Sequence, residues 1–77
     1  MNKRHIENII RHEFNKTHYT IAGIVWEEFE SYPGETVTEA VICLNETFAW
    51  KKLYRRFRCL EDKLNKKYGI NLDVVKA

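Results

Sequence analysis

The chain has little of what catalysis, metal binding or membrane insertion requires. Ser31 is its only serine, so no serine-based triad can be assembled. Gly23, Gly34 and Gly69 are its only glycines and lie far apart, which excludes a glycine-rich phosphate loop. Cys43 and Cys59 are the only cysteines, and with His5, His12 and His18 they form no close pair of zinc-ligand spacing. In a reducing cytosol the two thiols are expected to stay free. Glu27 and Glu28 are adjacent on one element and cannot face each other across a cleft as glycosidase carboxylates do. No apolar run approaches the roughly 18 residues that a membrane-spanning helix needs. The basic start Met-Asn-Lys-Arg-His leads into Ile6 to Ile10, which Glu7 and Asn8 interrupt, so no signal-peptide core is read there. These absences point to a cytoplasmic binding protein rather than an enzyme, with no catalytic residue, metal or cofactor assigned.

The sequence has 77 residues, enough for a single domain over 1–77 with a marginal core. Self-association into a homodimer is expected to cover apolar surface that so small a monomer leaves wet. At 44% hydrophobic and 31% charged residues the composition is that of a globular rather than a disordered chain. The net charge of +2 conceals a segregation: residues 1–16 sum to +2, residues 17–46 to −6 with no Lys or Arg, and residues 47–77 to +6. The acidic middle either neutralises the basic segment within the fold or forms a partner-binding face.

The best-defined element runs from Trp50 to Tyr68. Trp50, Leu53, Tyr54, Phe57, Leu60, Leu64 and Tyr68 recur with the period of one helix face. Gly69 supplies a C-cap, and Lys66 and Lys67 complement the dipole in the last turn. Residues 2–15 predict a first helix through Ile6, Ile9, Ile10 and Phe14, with Asn2 as N-cap and Glu7–Arg11 at i, i+4.

The middle can be read two ways. Ile21, Val25, Phe29 and Tyr32 are spaced as a helix face ended by Pro33-Gly34, yet Thr20, Ile21, Ile24, Val25 and Trp26 favour a strand. Thr36-Val37-Thr38-Glu39 has capping-box spacing, yet it is rich in β-branched residues. A hairpin of 19–27 with 36–44 would need a long loop from Glu28 to Glu35, so two short helices are preferred. Ile70, Leu72 and Val74 alternate with polar residues as an extended tail. The expected fold is therefore mainly α, a three-to-four-helix domain with a helix-turn-helix-like layout. The alternative is α+β, the hairpin 19–27/36–44 covered by two helices. The expected core is Ile6, Ile10, Phe14, Ile21, Val25, Phe29, Val41, Leu44, Leu53, Phe57, Leu60 and Leu64.

The function expected from this reading is a small regulator that contacts nucleic-acid phosphates through Lys51, Lys52, Arg55, Arg56 and Arg58 on the basic helix. An adaptor or inhibitor that binds a larger protein is the alternative. It would use Trp26, Phe29 and Tyr32 among Glu27, Glu28 and Glu30, because aromatic anchors dominate binding energy.

Overall fold

The computed structural model describes residues 2–77 and shows an α+β domain. Helix α1 (Lys3–Phe14) is followed by strands β1 (Ile21–Ser31) and β2 (Glu35–Leu44), helix α2 (Trp50–Tyr68) and strand β3 (Ile70–Lys76). The strands form one sheet in the order β1-β2-β3. β1 and β2 pair antiparallel, whereas β2 and β3 run parallel with α2 as the crossover between them.

The mainly helical expectation is thus overturned, and the helix-turn-helix layout with it, because a strand rather than a helix precedes α2. The long-loop objection to the hairpin fails because both strands extend further than 19–27 and 36–44. Ser31 pairs with Glu35, so the loop is only Tyr32 to Gly34, closed by the Gly34 amide donating to the Ser31 carbonyl at 2.6 Å. Gly34 sits at φ 111°, a backbone region that side-chain-bearing residues rarely enter. The Thr36–Glu39 capping-box spacing is coincidental: Thr36 pairs with Glu30 and Glu39 with Glu27. Strand propensity prevailed because the partner strand supplies the backbone hydrogen bonds that a short helix would have had to make alone.

Both expected helices are present, with local reasons for their ends. Asn2 caps α1 by accepting the His5 amide at 3.1 Å. α2 starts after Ala49 with no side-chain cap. It stops at Gly69, where φ 68° and ψ 25° give a left-handed cap and the Gly69 amide reaches the Asn65 carbonyl at 2.8 Å.

The core lies between the two helices and one face of the sheet. α1 contributes Ile6, Ile10 and Phe14, and α2 contributes Leu53, Phe57, Leu60 and Leu64. β2 adds Ala40, Ile42 and Leu44, and β3 adds Ile70, Leu72 and Val74. Alternation along a strand sends every second side chain to the opposite face. The expected core members Val25 and Phe29 therefore stand in solvent, while Ile21 and Val41 are only half-buried. The expected Glu7–Arg11 pair is not formed. Glu7 instead accepts the Trp26 indole N–H at 2.9 Å, tying α1 to β1, and the Lys3 ammonium lies 5.4 Å from the Trp26 ring.

Candidate functional site

The two layers divide the charge. α1 and α2 carry eleven Lys and Arg against four Asp and Glu, whereas the three strands carry six carboxylates against Lys76 alone. Each layer presents a surface of its own.

On the helical side, Lys51, Lys52, Arg55 and Arg58 are exposed, as the apolar period of α2 requires. Arg56 is half-buried and turned toward α1, where its guanidinium bonds Glu13 at 3.1 Å. Glu13 also pairs with Lys16 at 3.3 Å. Burial works to raise the Glu13 pKa, but the hydrogen bonds and charges of Lys16 and Arg56 together outweigh it and hold the carboxyl below its ordinary value. Arg58 is engaged with Glu61 at 2.8 Å. Of the five expected phosphate contacts, Lys51, Lys52 and Arg55 make no ion pair among the described residues. A cavity of about 490 Å³ between α1 and α2 is lined by His5, His12, Lys16, Cys59 and Lys63, among others. Next to it, Lys52, Arg55 and Arg56 line a second, of about 380 Å³.

On the sheet side no helix or strand of the described residues packs over the face turned away from the helices, although Asn65 of α2 reaches its β3 edge by donating to the Asn71 side chain at 3.2 Å. The β1–β2 and β2–β3 registers order its side chains into rows across the strands. Val25, Val41 and Asp73 form one row, Glu27, Glu39 and Asn71 the next, and Phe29 and Val37 a third. Gly23, Cys43 and Val75 form a further row beside the first, toward the end of β3. Val25 is 48% exposed, Phe29 45% and Val75 37%. β3 begins to pair at Thr38, so the hairpin beyond it projects as a two-stranded arm tipped by Tyr32, which is 99% exposed. Of the acidic-aromatic surface expected from the sequence, Phe29 and Glu27 stand on this face and Tyr32 at the tip of the arm, whereas Glu28 and Glu30 alternate to the opposite face. Trp26 is not part of it, because its ring packs inward against the core. Burial, followed by the charges of Asp73, Glu27 and Glu61, pushes the Glu39 pKa up.

Val37, Val41 and Val75 belong to this face and were not recognised as surface residues in the sequence. Their signal is the period-2 alternation with Ala40, Ile42 and Leu44 on β2 and with Leu72 and Val74 on β3. It assigns a face only once residues 36–44 are taken as a strand. No group of residues able to hold a metal ion is found among the described residues. No helix among them is long and apolar enough to cross a membrane. No family model, curated protein or solved structure matches the chain.

Proposed function

We propose that the protein is a small adaptor or inhibitor that binds a larger protein through the open, acidic-aromatic side of its sheet. The observation that carries this reading is the exposure of Val25, Phe29 and Val75 together on one side of a sheet whose other face is packed under two helices, with Tyr32 exposed at the tip of the same hairpin. Single exposed apolar residues are ordinary, but a grouped set rimmed by carboxylates marks an interaction surface. The carboxylates also make this side a poor platform for phosphates. The reading takes the cytoplasm as its setting, where Cys43 and Cys59 remain the free thiols they are in the structure.

The test is capture from native lysate with full-length protein. Wild type should retain one stoichiometric, nuclease-resistant protein, and a Val25→Ser, Phe29→Ser variant of unchanged melting temperature should lose it. Equal retention by both would refute the use of this face.

A second reading, phosphate contact through the helical layer, is favoured by the exposure of Lys51, Lys52 and Arg55 without ion-pair partners. Each phosphate neutralised steepens the fall of log K with log salt by about 0.9. Replacing these three residues by Gln should then lower the slope for random duplex DNA by roughly two to three. Absence of wild-type binding at low salt removes this reading and leaves the first untouched.

A further inference from the structure

The row Glu27–Glu39–Asn71 divides the open face. Glu27 and Glu39 are direct cross-strand partners, and Asp73 lies one row away on β3. Like charges placed directly opposite on neighbouring strands are destabilising, so this row works against the hairpin that carries it. None of the three carboxylates has an ion-pair partner among the described residues. Arg58 does line a cavity of about 380 Å³ with Glu39, but its guanidinium is engaged by Glu61 at 2.8 Å. Burial, and after it the neighbouring charges of Asp73, Glu27 and Glu61, disfavour ionised Glu39, and a cation seated there would offset them.

Apolar side chains flank the row on both sides. Val25 and Val41 lie two residues away in one direction, and Phe29 and Val37 two residues away in the other. Two residues of strand span about 7 Å, and one turn of helix rises about 5.4 Å, so four helical residues cover about 6 Å. A helix laid along β1 and β2 therefore meets apolar, acidic and apolar rows at nearly the spacing of its positions i, i+4 and i+8.

We propose that the open face docks an amphipathic helix of another protein, with an arginine or lysine seated on Glu27 and Glu39 between two apolar anchors. This rests on the adaptor reading above and names the chemistry of its partner. A helix suits the face because its backbone groups are bonded internally, whereas a strand lying on a sheet face would leave its own unpaired. Arginine is the better central residue, since its planar fork can bond two carboxylates at once. A second copy of this chain is a poor occupant. Face-to-face pairing would bring two acidic rows together. The i, i+4, i+8 row of α2 that holds its exposed aromatics reads Trp50, Tyr54, Arg58, with the cation at the end rather than between the aromatics.

The probe is a synthetic amphipathic helical peptide with leucine four residues before and four residues after a single arginine. It is titrated into the isotope-labelled full chain and followed by amide chemical shifts. Shifts should centre on Val25 to Phe29 and Val37 to Val41. Replacing the peptide's arginine by glutamine should weaken binding about tenfold or more, as removal of one partner from a desolvated charge pair does. A Glu27→Gln, Glu39→Gln variant should lose affinity comparably while melting no lower than wild type, which separates lost recognition from lost fold. Equal binding of the arginine and glutamine peptides at this face would overturn the cationic partner and leave the adaptor reading standing. Binding of neither peptide would overturn the docked helix, and the lysate capture then decides the adaptor reading separately. A dimer mass for the free protein in sedimentation that the Val25→Ser, Phe29→Ser variant loses would replace the foreign helix with a second copy.

Discussion

Two phenylalanines of the chain make a controlled comparison, because the same truncation should have very different costs at each. Phe57 is 5% exposed at the centre of the apolar face of α2, with its ring 5.1 Å from that of Trp50. Phe29 is 45% exposed on the open face, with Val37 as its cross-strand neighbour. Phe57→Ala removes a buried ring and leaves a cavity, at a cost of about 3–5 kcal/mol. At roughly 0.05–0.15 kcal/mol per residue, a domain this size has only about 4–12 kcal/mol in all. Each kcal/mol shifts the melting temperature of such a domain by about 4–8 °C, so Phe57→Ala should melt at least about 12 °C lower or fail to fold. Phe29→Ala gives up only the partial contact with Val37, worth under about 1 kcal/mol. Thermal and urea melts followed by far-ultraviolet circular dichroism decide it, since fluorescence would be confounded by the loss of a ring beside Trp50. Equal losses at both positions would refute the argument. They would mean that Phe29 is covered in solution, or that the helix register which buries Phe57 is wrong.

Further outcomes follow from other parts of the fold. The lowered pKa of Glu13 makes its ion pairs a source of stability that is present above the unfolded-state pKa and lost as pH falls through the folded one. Glu13→Gln should therefore cost up to about 1 kcal/mol at neutral pH, with the difference from wild type vanishing in acid and shrinking in high salt; a difference that persists in acid contradicts the ion-pair account. Glu39 has the opposite sign: its raised pKa means stability is greatest below the unfolded-state value and is lost as pH rises through the folded one. Glu39→Gln should accordingly stabilise the protein at neutral pH by a few tenths of a kcal/mol, up to about 1. Gly69→Ala, at φ 68°, should destabilise by about 1–2 kcal/mol in a urea titration. Sedimentation equilibrium at micromolar concentrations tests the expected homodimer, and a monomer mass there removes it.

Both helices could be read from the order of residues because what makes them is local. Ile6, Ile10 and Phe14 on α1, and Leu53, Phe57, Leu60 and Leu64 on α2, repeat within a few residues, and Asn2 and Gly69 mark ends by their own backbone and side-chain chemistry. The exposure of Lys51, Lys52 and Arg55 follows from the same period. Residues 21–44 carried two periods at once, and no local signal separates them. Whether Val25 faces in or out depends on a partner strand, and the partner is chosen by hydrogen bonds between residues up to 23 apart, as Ile21 and Leu44 are. Tertiary structure alone decided that the uncovered face holds Val25, Phe29 and Val75, and that Glu27 stands opposite Glu39. It also placed Glu13 beside Arg56, 43 residues away along the chain, at a distance where charge acts through space rather than through sequence.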